Sequence, residues 1–148
     1  MTSSAPDDLR LFVYGLLLTG EREHDLLAEA VLLGEAETVP RYTLADLGVY
    51  PALLERGTVA IHGELYRIDR KIRFQLDVKH EVPVLFRRIK VELADGTTAE
   101  TYAMKDEQVR GKRRLAGGDW KGRFAPRPRT TDLGGPLVNA AKRRFERR

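Results

Sequence analysis

The stretch Leu11-Phe12-Val13-Tyr14-Gly15 constrains the fold more than any other. Successive side chains of a strand point to opposite faces. An unbroken apolar and aromatic run stopped by glycine therefore reads as a buried first strand, which must find neighbours elsewhere in the chain. Strand-like runs are predicted at Tyr42–Asp46, entered after Pro40, and at 58–69, where Gly63 marks a bulge or a close approach of backbones. Two further runs, 85–93 and 97–104, flank Asp95-Gly96, a good hairpin signal. His24–Gly34 carries Leu26, Leu27, Ala30 and Val31 on one helical stripe, with Gly34 as a stop. Asp69 can cap a short helix over 70–78, with Ile72, Leu76 and Phe74 turned inward. Residues 49–57 are predicted as a loop, since Pro51 argues against a central strand. Several short strands and two modest helices define an α+β chain with a mixed or mostly antiparallel sheet that can close into a small β-barrel.

With 148 residues the chain is expected to form one compact domain. Its boundaries are predicted at 10–124, after a polar, disordered N-terminus (1–9) and before a basic C-terminal arm or short helix (125–148). In the last segment Leu137, Ala141 and Phe145 stand four residues apart. The net charge of +4 hides an asymmetry: residues 110–148 carry thirteen Lys/Arg against three acids, whereas residues 1–109 carry thirteen bases and nineteen acids. A basic tail on an acidic body either folds back and aids solubility or meets an anionic partner. No RNA-binding aromatic motif or zinc finger accompanies it, so nucleic acid is not the expected partner. There is no cysteine. Together with the absence of a signal-like segment or a run of ~20 apolar residues, this leads to an expected cytoplasmic location. His24, His62 and His80 are too scattered for metal-ligand spacing.

Five segments then follow in a familiar order: Val13-Tyr14-Gly15 with its leucine-rich turn, LADLGVYPALLERG, VAIHGELYRID, LDVKHEVPVLFRR and GGDW. Their collinear succession, from Leu11 to Trp120, resembles the γ-glutamylcyclotransferase-like family. The resemblance implies a small mixed barrel with a cavity beside the loop after the first strand. Active members cleave a γ-glutamyl amide by cyclisation: the substrate's α-amine attacks its own γ-carbonyl, releasing 5-oxoproline and a free amine. No metal or nucleotide cofactor takes part. The expected partner is a small γ-glutamyl amide, whether of an amino acid, a polyamine or a protected natural product. The oligomeric state is left open.

The attack closes a five-membered ring, so holding the folded-back conformer is the main task, worth roughly 7 to 11 kcal/mol. The α-amine must lose a proton before it is nucleophilic, which calls for a carboxylate or an equivalent base within reach. Backbone N–H groups in a tight turn can hold the α-carboxylate or the developing oxyanion. The resemblance places that turn at Tyr14, Gly15, Leu16 and Leu17, and Tyr50 can line the cavity. Relatives commonly have a hydroxyl residue at the position of Leu16 and arginine at that of Leu18. Their acid/base glutamate, in Leu-Asp-x-x-Glu, falls on His80, with a glutamate one residue later at Glu81. Glu81 is the expected catalytic residue. His80 as the proton carrier, or a degenerate site that binds without turnover, are the alternatives. Asp77 is expected to cap the helix or face solvent, Tyr102 to sit in the core or at the rim, and Trp120 to pack a turn against the body.

Overall fold

The computed structural model describes residues 9–122. Expectations for the polar start and for the basic arm or helix at 125–148 lie outside the described residues. Eight strands form a single mixed sheet: β1 (Leu9–Val13), β2 (Val31–Glu37), β3 (Tyr42–Asp46), β4 (Pro51–Val59), β5 (His62–Ile68), β6 (Arg87–Glu92), β7 (Thr98–Ala103) and β8 (Arg113–Arg114). One α-helix, α1 (Arg70–Lys79), joins β5 to β6, and 3₁₀ turns occupy His24–Leu27 and Asp106–Val109. The strand order is β2-β5-β1-β7-β4-β3-β8, with β6 also pairing with β7.

The apolar run at the start of the chain takes the central place that its composition demands. β1 lies antiparallel to β5 and parallel to β7, with Leu11, Phe12 and Val13 all buried. β4 also runs parallel to β7, through Leu53 and Ala103. Phe12 faces a core shared with Leu44, Leu53, Ile61, Val91 and Trp120, whereas Leu11 and Val13 face Ile72 and Leu76 of α1. The predicted packing role of Trp120 is thus met: it is almost wholly buried. A single bridge, Thr38 to Leu93, ties the end of β2 to the end of β6. The sheet curls round through that contact, but no continuous ladder closes it among the described residues, so they form an open α+β sheet rather than the closed barrel expected.

Three elements differ from expectation. The predicted helix over His24–Gly34 is a 3₁₀ turn followed by β2, because pairing of Val31–Glu37 with β5 outweighs a local stripe of which only Leu27 is buried. Gly34 marks a register shift in that ladder, not a helix stop. The predicted loop around Pro51 is the start of β4. Proline is tolerated as the first residue of a strand, and here it pairs with Asp46. The run predicted as one strand at 58–69 is divided: Thr58 and Val59 end β4, and β5 begins at His62. Asp69 accepts from the Ile72 N–H at 2.9 Å and starts α1, though Phe74 points to solvent. The Asp95-Gly96 turn joins β6 to β7 as a hairpin. No helix among the described residues is long and apolar enough to cross a membrane.

Gly63 is where β5 meets β1 most closely. A Cβ there would collide with the Val13 carbonyl oxygen and lie 2.8 Å from the Phe12 ring. Overpacking of this kind costs roughly 1–3 kcal/mol. Gly63→Ala is therefore expected to lower the urea midpoint with the m-value unchanged.

Candidate active site

The turn after β1 is built by packing and by backbone hydrogen bonds. A Cβ on Gly15 would stand 2.7 Å from Pro51 Cγ, so the chain can pass here only as glycine unless Pro51 moves. Leu18 N donates to Gly15 O at 3.0 Å and Glu23 N to Leu16 O at 2.9 Å. His24 Nδ1 donates to Leu17 O at 2.9 Å, and Glu64 accepts from both Thr19 N and Thr19 Oγ1 at 3.0 Å. With the turn fixed, the N–H groups of Leu16 and Leu17 find no acceptor among the described residues. Leu18, at the position relatives fill with arginine, is buried.

Tyr14 fastens this turn to the sheet. Its hydroxyl donates to Tyr102 O at 2.6 Å and accepts from Leu53 N at 3.0 Å, joining the end of β1 to β7 and β4. Burial pushes its pKa well above the usual phenol value, outweighing the Leu53 hydrogen bond. Tyr14→Phe leaves the Leu53 N–H without a partner in the core, which costs roughly 1–3 kcal/mol. A matching drop in unfolding free energy by chemical denaturation is the expected result.

The second wall is the C-terminal end of α1. Glu81 N donates to Val78 O at 3.1 Å and Val82 N to Asp77 O at 3.0 Å, the paired bonds of a Schellman motif. In that motif the residue after the cap adopts the left-handed conformation, and here it is Glu81, with φ of 53°. Glycine accepts this conformation without the Cβ penalty of about 1–2 kcal/mol. Glu81→Gly is expected to raise the melting temperature by a few degrees in thermal unfolding. A carboxylate held in an unfavourable backbone conformation is a pointer to function.

Between the two walls lies a cavity of about 410 Å³, a size typical of small-molecule sites. Tyr14, Gly15, Leu16, Leu17, Tyr50, His80 and Glu81 all line it. Tyr50 packs its ring at 5.8 Å from Phe86, forming an aromatic wall. Glu81 is exposed at the rim. His80 is deeper: it stacks on Tyr102 at 4.0 Å and meets the edge of Phe86 at 5.1 Å. Asp77 neither caps the helix nor faces solvent alone. It accepts from Tyr102 Oη at 2.7 Å and Arg88 Nε at 3.1 Å, and so fixes the ring on which His80 rests. Burial, then the Asp77 hydrogen bond, push the Tyr102 pKa far up, so the phenol stays protonated and donating.

The sequence reading missed Arg22, Glu23, Lys79, Phe86 and Thr101, which also line the cavity. Lys79 pairs with Glu23 at 3.2 Å across the mouth. The exposed guanidinium of Arg22 has no partner among the described residues. Arg22 lies in the polar run TGERE, where nothing in the sequence separates a cavity residue from a solvated charge.

An open mixed sheet, a glycine turn beside a cavity and a titratable helix end facing it make up a candidate small-molecule site. The chain belongs to the family described as gamma-glutamyl cyclotransferase, AIG2-like, whose model matches residues 11–122. A relative from Vibrio cholerae is 44% identical over 110 residues, covering 74% of this chain and 93% of its own length; its name gives gamma-glutamylcyclotransferase activity provisionally. A bovine (Bos taurus) relative named gamma-glutamylaminecyclotransferase is 32% identical over 94 residues, covering 57% of this chain and 55% of its own length. The solution structure of the protein YtfP from Escherichia coli superposes with a TM-score of 0.61 at 31% identity, covering 76% of this chain and 96% of that one.

Proposed function

We propose that the protein is a γ-glutamyl-amine cyclotransferase, converting a small γ-glutamyl amide to 5-oxoproline and a free amine. The observation that carries this reading is the meeting of Glu81 and the Gly15 turn at one cavity, from segments more than sixty positions apart. The Leu16 and Leu17 N–H groups receive the anionic oxygens of the glutamyl group, first the α-carboxylate or γ-carbonyl and then the oxyanion. Arg22 takes the place of the guanidinium that Leu18 does not supply, drawing the α-carboxylate to that side. Tyr50 and Phe86 exclude water from the other wall. Glu81 is the carboxylate that accepts a proton from the α-ammonium, which then attacks the γ-carbonyl carbon as a free amine.

The leaving amine lies toward the mouth, where Glu81 adds negative charge, and this favours γ-glutamyl derivatives of basic amines such as polyamines or lysine. The chain has no cysteine and so no disulfide to lose in a reducing compartment, and we place the reaction in the cytoplasm. Neither a membrane nor nucleic acid enters the scheme.

Incubation with γ-glutamyl-putrescine, γ-glutamyl-lysine and γ-glutamyl-alanine should release 5-oxoproline, detected by chromatography. Glu81→Gln should cut turnover by roughly a hundredfold or more, with the fold retained by circular dichroism. Thermal stabilisation by these amides without product would favour the second reading, a binding protein on the same scaffold. The motivation for that reading is Leu16, which offers no hydroxyl to the site.

A further inference from the structure

His80 is placed more deeply than Glu81 and is held more firmly. Its Nδ1 lies 2.7 Å from the carbonyl oxygen of Leu76. A carbonyl can only accept, so Nδ1 carries the hydrogen and Nε2 bears the lone pair. The same carbonyl also accepts from His80 N at 2.9 Å, so side chain and backbone together close the last turn of α1. Tyr102 stacks on the ring with an interplanar angle of 4°, and Phe86 meets it nearly at right angles. Tyr102 is itself fixed by Asp77, and Asp77 by Arg88. Three contacts thus define the ring's position, while Nε2 has no partner among the described residues and His80 lines the cavity.

We infer that His80 is a second catalytic residue of the proposed cyclotransferase, its Nε2 carrying a proton from the attacking nitrogen to the leaving nitrogen. The inference rests on the proposed function and divides the proton work between two residues. Glu81, exposed at the rim, takes the first proton from the α-ammonium and exchanges it with solvent. As the neutral amine bonds to the γ-carbonyl carbon, its nitrogen loses a second proton to Nε2. The imidazolium then gives that proton to the nitrogen of the leaving amine as the amide C–N bond breaks. The products are 5-oxoproline and the free amine, and His80 returns to its starting form. An imidazole suits the second transfer better than a rim carboxylate, because the group must both accept and donate near neutral pH.

The groups facing His80 are Asp77 and Lys79 on α1, Glu81 after it, Glu23 from the turn after β1, Tyr102 from β7, and Arg88 from β6 through Asp77. Burial lowers its pKa below the usual imidazole value; the Leu76 hydrogen bond and the carboxylates of Glu23 and Asp77 oppose that shift in part. The base form is therefore present at neutral pH. Activity is expected to be lost as pH falls through a value below about 6.5.

The test compares wild type, His80→Asn and His80→Glu on γ-glutamyl-putrescine. Asparagine can still donate to Leu76 O but has no basic nitrogen, so it preserves the helix end and removes the proton carrier. The expected result is a fall in kcat of about a hundredfold or more with KM changed only a few-fold. The part of the acid limb due to the imidazole should be absent in that variant. His80→Glu, which restores the carboxylate of relatives, should recover activity with the acid limb moved to lower pH. A His80→Asn enzyme within twofold of wild type, with the same acid limb, would overturn the inference and leave the cyclotransferase reading standing. No 5-oxoproline from wild type with any of the three amides would remove both. Nitrogen-15 spectra of wild type give a check independent of turnover. They should show hydrogen on Nδ1 and none on Nε2 at pH 7.5, and the opposite tautomer would also overturn the inference.

Discussion

The Tyr14 phenol is the contact on which the rest of the site depends. A buried hydroxyl must find partners or cost several tenths of the domain's stability. Here it finds two, on neighbouring parallel strands: Leu53 N on β4 and Tyr102 O on β7. Both flanking strands run parallel to β7, and parallel neighbours cannot be joined by a tight turn. Tyr14 supplies a local tie across that junction. The tie continues outward, since Tyr102 carries His80 on its ring and holds Asp77 through its own hydroxyl. The reach from the middle of the sheet to the end of α1 is thus made of short, directional contacts.

Gly15 and Pro51 show the same economy. The proline ring occupies the space a side chain would need at Gly15. The residue that starts β4 therefore also shapes the turn beside the cavity. Tyr50, one position earlier, is brought against Phe86 by the same placement.

Much of this was readable in the residues. Leu11–Val13 could only be buried, Asp69 could only help a helix begin, and Asp95-Gly96 sat between two runs with strand character. The site's two walls were also recoverable, because Tyr14–Leu17 and the Leu76–Arg88 stretch keep their order and character. What failed was arbitration between local pattern and distant pairing. The stripe in His24–Gly34 satisfied a helical period, yet Val31, Leu32 and Leu33 are exposed on an outer strand whose only full ladder among the described residues is with β5. A periodicity count has no knowledge of that partner. Pro51 was read as a breaker because its role at the head of a strand depends on Asp46 opposite. Arg22 and Lys79 were invisible as cavity residues, for a charge in a polar run looks the same whether it meets bulk water or a pocket.

The way α1 ends has a consequence for how a ligand must lie. A helix C-terminus carries a partial negative charge, and this one, its last carbonyls capped by His80, Glu81 N and Val82 N, ends at the cavity with Lys79, His80 and Glu81. Across from it the Leu16 and Leu17 amides present partial positive charge. The hollow is therefore polar along one axis, through main-chain groups as well as the charges of Arg22 and Glu81. A zwitterionic guest entering head-first or tail-first would feel opposite torques, and only one heading is downhill. Because peptide groups set part of that compass, exchanging other rim side chains can alter which amine is accepted without turning the guest around.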